Sequence, residues 1–211
     1  MTVEIVVLDA AAAKAAVHEL ADVLADCVEG GASVSFMLPY SRGDAEKYFE
    51  KVIASVARGE TVLVAAKLDG RTVGAVQLGL DMPPNQPHRG DIKKLRVHRA
   101  ARNLGLGAAL MARAEAEAKA RGRTLLVLDT AGAEAERLYA RTGWQRVGVV
   151  PDYAMWPAGG FCDTTFSGRG FDPSPEGGGW SPKATGWGSS CAAPPVRSLR
   201  SRPPSPFGGR D

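Results

Sequence analysis

The run Arg102-Asn103-Leu104-Gly105-Leu106-Gly107 combines residue types and spacing that could do chemistry by position alone. Glycines at a helix entrance let backbone approach a ligand closely, and the free N–H groups of a first helical turn attract an anion. A diphosphate suits such a seat, and Arg102 could add a charge-assisted bond. A glycine-led helix start also serves purely structural ends, so the run alone leaves both readings open. Two other phosphate loops do not fit. A Walker A loop needs GxxxxGK[ST], which is absent. A dinucleotide fingerprint needs GxGxxG early in a βαβ unit, whereas the order here is RxxGxG. Two acids could move protons nearby: Asp129 closes an apolar run, and Asp91 opens the segment leading to the glycines. Catalytic groups tend to emerge at such strand ends in α/β sheets.

These residues need elements to hold them. Glu4–Leu8 reads as a short strand and Ala10–Cys27 as a helix, with Val17, Leu20, Val23 and Leu24 at helical spacing. Val34–Tyr40 reads as an irregular connection containing Pro39, and Asp44–Arg58 as an amphipathic helix. Thr61–Leu68 and Thr72–Leu80 flank Asp69-Gly70, a strong hairpin signal. Asp91–His98 is the next strand, Gly105–Arg121 a long helix closed by Gly122, and Thr124–Leu128 a buried strand. Glu134–Thr142 is a short helix, Gln145–Val150 a strand, and Asp163–Phe166 the start of another. A hairpin followed by strand–helix units predicts an α/β fold with a mixed, largely antiparallel twisted sheet flanked by helices.

Composition narrows the function classes. The chain has 211 residues, 45% of them hydrophobic, enough for one domain with a core. Six of its 26 basic and three of its 23 acidic residues fall in 167–211, which leaves 20 of each sign in 1–166. A balanced domain lacks the basic face of a nucleic-acid binder. Cys27, Cys162 and Cys191 show no CxxC pair and no metal-ligand rhythm, so free thiols and no metal are expected. Met1-Thr2-Val3-Glu4 has no basic, apolar leader pattern, and no run has the length of a membrane span, so the expectation is a cytoplasmic protein without membrane contact. Residues 167–211 hold nine of the 25 glycines and eight of the 14 prolines, with eight serines. Such a segment is expected to be a disordered tail, which sets the domain at 1–166.

Leu95-Arg96-Val97-His98-Arg99 followed by Arg102–Gly107 resembles motif A of the GNAT superfamily of N-acetyltransferases, whose pattern is [QR]xxGx[GA]. Ala135-Glu136-Arg137-Leu138-Tyr139 with Gly143-Trp144 is similar to that superfamily's second cofactor motif, AxxLYxxxGF. Within it, Lys94-Leu95, Leu125–Thr130 and Asp163–Phe166 resemble the tabtoxin-resistance-type acetyltransferases, a link to antibiotic or toxin resistance. The chain departs from that pattern at Gly132, where many relatives place an asparagine, and after Phe166, where a β-prone strand would continue.

The resemblance implies a sheet split into a V, with acetyl-CoA as co-substrate threaded between the splayed strands. Leu95, Arg96 and Val97 would pair with its pantetheine arm. Arg102, Asn103, Leu104, Gly105, Leu106 and Gly107 would wrap its diphosphate. The Val97 N–H would polarise the thioester carbonyl. Tyr139 would give a proton to the departing thiolate, and Asp129, or failing it Asp91, would take one from the amine. His98 reads as an exposed strand-end histidine. Trp144 and Trp156 read as core or cleft aromatics, and Phe36–Tyr40 with Asp152 and Tyr153 as the acceptor wall. The expected reaction is acetylation of a small-molecule primary amine by a monomer or homodimer. The alternatives are a peptide or protein amine as acceptor, and an acetyl-CoA-binding sensor or interaction module.

Overall fold

Asp69 and Gly70 both take positive φ, 48° and 81°, the twist that joins two antiparallel strands with a two-residue loop. They link β2 (Thr61–Leu68) to β3 (Arg71–Gly79). The computed structural model describes residues 1–171. Both faces of β2 are apolar, and each is covered. Val62, Val64 and Ala66 enter one core cluster, while Leu63 and Ala65 enter the other. A strand whose alternate residues are all apolar has to lie between two layers.

The remaining elements build those layers. On one face lie α1 (Ala10–Ala15), α2 (Val17–Glu29) and α3 (Arg42–Ala57); on the other lies α4 (Leu106–Ala120). The helix expected over Ala10–Cys27 breaks at Ala16 (φ −92°, ψ 7°) into α1 and α2. Ser41 caps α3 in a reciprocal capping box with Asp44, which starts that helix two residues before the periodicity suggests. On α4, Leu106, Leu110, Met111, Ala114 and Ala118 are buried at helical spacing. Full burial of each leucine contributes about 1.5–3 kcal/mol.

The sheet is completed by β1 (Val3–Leu8), β4 (Arg89–Val97), β5 (Leu125–Thr130), β6 (Gln145–Met155) and β7 (Phe161–Gly170), with α5 (Ala133–Arg141) between β5 and β6. The order is β1-β2-β3-β4-β5-β7-β6, and of the neighbouring pairs only β4 with β5 is parallel. The fold is therefore the mixed, mostly antiparallel sheet with flanking helices that the sequence implies. No helix among the described residues is long and apolar enough to cross a membrane.

One boundary is corrected. The chain does not leave the sheet at Phe166. β7 continues through Ser167, Gly168, Arg169 and Gly170, pairing with β5 along Thr165–Gly170 and with β6 on its other side. A strand held between two neighbours has its backbone groups satisfied on both edges, and that outweighs the poor strand preference of glycine. Ser167 is buried, and Arg169 reaches Glu115 at 3.4 Å. The rest of the expected tail, 172–211, lies outside the described residues.

Candidate active site

β4 and β5 pair at only three positions: Arg89 with Leu125, Gly90 with Leu126, and Asp91 with Val127. Beyond them the strands part, and their facing edges border a cleft of about 940 Å³. Opened edges present unpaired backbone groups, so the cleft can take an extended ligand as if it were a strand. His98 donates its N–H to Val73 O (2.8 Å), so the even-numbered end of β4 is turned to β3. By the alternation of an antiparallel ladder, the N–H and C=O of Leu95 and Val97 then point to the open edge, and those of Arg96 point to β3.

A bulge sets this arrangement. Lys94 and Leu95 together oppose the single residue Val76, and Lys94 has φ 56°. The extra residue shifts the strand's phase, so that Ile92, Leu95 and Val97 all join the α4 side of the core. Arg96 is sent to the opposite face, beneath α2 and α3, and is 2% exposed.

Past β4, a short 3-10 turn (Arg99–Ala101) leads to the entrance of α4. Asn103 and Gly105 both have positive φ, 63° and 75°. Gly105 is the N-cap and makes no side-chain cap, so the first N–H groups of α4 are left for a ligand. Arg102, Asn103, Gly105, Leu106 and Gly107 border the cleft beside that entrance. Leu106 reaches it through its backbone, since its side chain is core. Leu104 is 46% exposed and does not line the cleft. A Cβ on Gly107 would meet Leu138 Cδ2 at 3.1 Å, so α4 packs closely on α5 here and a side chain would displace the end of Leu138 by a few tenths of an ångström.

Asp129 and Tyr139 come together across the cleft. Asp129 is the penultimate residue of β5 and is exposed; Tyr139 lies on α5, buried, its ring 6.0 Å from that of Trp144. Burial pushes the Tyr139 hydroxyl well above the usual phenol range, and the Asp129 charge raises it further. That hydroxyl therefore stays protonated at neutral pH and is available as a proton donor. Asp91 lies at the vertex of the V, where Arg89 (2.8 Å) and Lys93 (3.8 Å) already hold its carboxylate. Both ties occupy the Asp91 carboxylate, whereas Asp129 has no ion pair among the described residues.

The far end of the cleft is closed by the connection between α2 and α3. Lys94 Nζ donates to Val34 O at 2.9 Å and to Ser35 Oγ, Leu38 N donates to Pro157 O (2.9 Å), and Ser33 Oγ donates to Met155 O (3.4 Å). Trp156 and Phe166 line the cleft there. Tyr153 packs edge-on against Phe166 at 5.4 Å, and the Asp152 N–H donates to Asp163. Phe36 and Tyr40 turn inward toward α3, into the second core, so only part of the expected acceptor wall faces the cleft. Trp144 is core and donates to Glu115 at 2.9 Å. The half-exposed His98 caps the 3-10 turn through Nδ1.

Two functional candidates are not evident as such in the sequence. The first is the Lys94 side chain. Burial, and next the neighbouring Arg96 charge, draw its ammonium down to about 8 against the opposing pull of Asp129. The second is the buried guanidinium of Arg96. The signal for both is the apolar spacing 92, 95, 97, a three-then-two step that only a bulge reconciles with one face.

Residues 31–144 match the model of the acetyltransferase (GNAT) family. Among solved structures, the chain is similar to an N-acetyltransferase from Staphylococcus aureus Mu50, at 18% identity and TM-score 0.67 over 81% of this chain and 99% of that one. It is similar to a phosphinothricin acetyltransferase from Sinorhizobium meliloti in complex with acetyl-CoA, at 16% identity and TM-score 0.68 over 86% and 95%. It is also similar to a ribosomal-protein-alanine N-acetyltransferase from Brucella melitensis, at 22% identity and TM-score 0.64 over 79% and 99%. At these identities each likeness is one of fold.

Proposed function

The chain belongs to the acetyltransferase (GNAT) family and is an acetyl-CoA-dependent N-acetyltransferase, and from that premise we propose that its acceptor is the primary amine of a small molecule. The observation that carries this reading is the closed acceptor end. Ties from Lys94, Ser33 and Leu38 hold the 31–40 connection against β4, Met155 and Pro157. That leaves little width for a folded protein surface. The tabtoxin-resistance-type reading, with its link to toxin or antibiotic resistance, rests on Lys94-Leu95, Leu125–Thr130 and Asp163–Phe166, each of which contributes residues to the cleft.

In this reading Leu95 and Val97 pair with the pantetheine arm, and the entrance of α4 with Arg102 holds the diphosphate. The Val97 N–H donates to the thioester oxygen as negative charge gathers there, a contribution of about 3–4 kcal/mol in comparable sites. A lysine-like amine has a pKa near 10.4, so freeing its lone pair near pH 7 costs roughly 4–5 kcal/mol. Asp129 takes that proton. The amine nitrogen then bonds to the acetyl carbon, the carbon–sulfur bond breaks as Tyr139 gives its proton to the departing sulfur, and the nitrogen sheds its second proton, which restores the Tyr139 hydroxyl and leaves a neutral amide.

The deciding experiment incubates the protein with acetyl-CoA, a thiol-detecting reagent and separate panels of small amines and peptides. Free thiol released with small amines supports the reading. Release with peptides alone would move the acceptor to proteins, and binding of acetyl-CoA without acceptor-dependent release would make the protein a sensor.

Asp129→Asn is expected to lower kcat/KM about a hundredfold near pH 7. The deficit should shrink as pH is raised toward the pKa of the amine, where acceptor arrives already deprotonated. The same substitution removes the carboxylate that holds the Lys94 ammonium up. Its midpoint should then fall below about 8 in an NMR titration of the lysine side chain. A pH–rate profile parallel to that of the wild type would remove Asp129 as the base.

A further inference from the structure

Two neighbouring lysines, Lys93 and Lys94, line the cleft, and they are placed differently. Lys93 is half exposed and lies 3.8 Å from Asp91 at the vertex of the V. Lys94, the bulge residue at φ 56°, is drawn under the 31–40 connection at the acceptor end. Its Nζ donates to Val34 O at 2.9 Å and to Ser35 Oγ, and lies 5.7 Å from the Phe36 ring centroid. No carboxylate of the described residues is within ion-pair distance of it.

An ammonium has three N–H donors, and among the described residues only two acceptors meet this one. A neutral amine has two donors and one lone pair. The acceptors present therefore match the neutral form, whose lone pair then faces away from the connection. Burial, and next the Arg96 charge, favour the same form and bring the group down to about 8. At pH 7 about one chain in ten then carries the free amine, against roughly one in a few thousand for an exposed lysine. The cleft assigned to acetyl-CoA thus contains an amine of the protein's own in the state an acceptor needs. The next residue, Leu95, begins the edge assigned to the pantetheine arm, and the Asp129 charge acts on Lys94 from β5.

We propose that Lys94 is an acetylation site of the protein itself: with no amine acceptor present, bound acetyl-CoA acetylates Lys94 Nζ of the same chain, and the modified chain is closed to amines. The Nζ ammonium gives one proton to Asp129, which passes it to water. The nitrogen bonds to the acetyl carbon, the carbon–sulfur bond breaks as Tyr139 protonates the sulfur, and the second Nζ proton restores the Tyr139 hydroxyl. The products are acetyl-lysine and the free thiol of coenzyme A. An amide nitrogen keeps a single N–H, so one of the two ties to the connection is lost, and the acetyl group occupies the acceptor end. The inference goes beyond the acceptor reading above: it needs acetyl-CoA in the cleft, whatever the external amine is.

The test incubates the purified protein with acetyl-CoA and no acceptor, and follows acetylation by intact mass and peptide mapping. Lys94 is expected to gain one acetyl group per chain about a hundredfold faster than the exposed Lys47 and Lys51, in line with its larger fraction of free amine. The rate per chain should not change with protein concentration, and excess coenzyme A should block the reaction. Modified protein, freed of acetyl-CoA, should still bind coenzyme A but turn over the amines used by the unmodified protein roughly tenfold more slowly or worse, the worth of one lost hydrogen bond to a well-placed partner. Lys94→Arg, which keeps donors for Val34 O and Ser35 Oγ, should stay unmodified at this position. Acetylation of Lys94 no faster than that of Lys47 would overturn the proposal. A rate that rises with protein concentration, or full turnover by the modified chain, would overturn it too. Acetylation of an added amine while Lys94 stays unmodified in the acceptor-free incubation sinks this inference alone, whereas no transfer to any amine sinks the acceptor reading with it.

Discussion

Tyr139→Phe is expected to lower kcat about a hundredfold while the affinity for acetyl-CoA stays within a factor of two or so, since a positioned proton donor is worth about 10²–10⁴. The ring is the structural part of this side chain: it packs against Trp144 in the core. Phenylalanine keeps that contact, so the fold and the neighbouring helix entrance remain. What is lost is the hydroxyl, which burial and the Asp129 charge keep protonated. The thiol of coenzyme A, with a pKa near 8.5, leaves as an exposed sulfur anion unless a proton or a hydrogen bond meets it. The loss should therefore depend on the leaving group. An acyl donor whose thiol is more acidic should be used by Tyr139→Phe nearly as well as by the wild type. Stopped-flow thiol release with a series of acyl thioesters measures this. An equal deficit across the series would mean that the hydroxyl positions the substrate and does not donate.

How much of this site was legible in the sequence depended on which force set each residue. The hairpin at Asp69-Gly70 and the glycine-led entrance of α4 are local matters of backbone conformation, and both read directly. Asp129 and Tyr139 were named through the family resemblance, and both border the same cleft. The separation of β4 from β5 came only through the family resemblance and not from the residues' own pattern, because it is a matter of pairing register: only Arg89, Gly90 and Asp91 find partners before the strands diverge. Strict alternation along Asp91–His98 would place Ile92, Lys94 and Arg96 on one face. The bulge at Lys94 breaks that alternation and moves Arg96 to the α3 side. One inserted residue thus sends the Arg96 guanidinium to the α3 side, where it is buried against Phe49.

The end of the sheet was misread for a related reason. Composition changes at Ser167, and composition reports what side chains can contribute. β7 is held from Ser167 to Gly170 by backbone pairing with β5, with β6 on its other side as far as Gly168. Long-range pairing of this kind leaves no local trace, and a window of Gly, Ser and Arg does not reveal it. The contrasting case is α3: the reciprocal pair Ser41 and Asp44 is a readable start signal, and the apolar periodicity that begins at Ala45 obscured it.

Gly105→Val should weaken coenzyme A binding about a hundredfold, with little effect on kcat at saturation. Gly105 sits at φ 75° and ψ 0°, the left-handed region, where an L-residue is strained by about 1–2 kcal/mol and a β-branched one by more. No atom lies within 4 Å of a Cβ built there, so valine meets no clash inside the protein itself. The strain is relieved by turning the loop out of the left-handed region, and that withdraws the first N–H groups of α4 from the diphosphate. Losing one or two charge-assisted hydrogen bonds at about 1.5–3 kcal/mol each accounts for the expected factor. Gly105→Asn separates conformation from bulk, because asparagine tolerates the left-handed region yet still carries a Cβ. If the backbone turn is what matters, asparagine retains most of the affinity in calorimetric titration with coenzyme A. If the ligand needs the open space itself, asparagine loses as much as valine. A wild-type dissociation constant in Gly105→Val would show that the diphosphate is held elsewhere than at the entrance of α4.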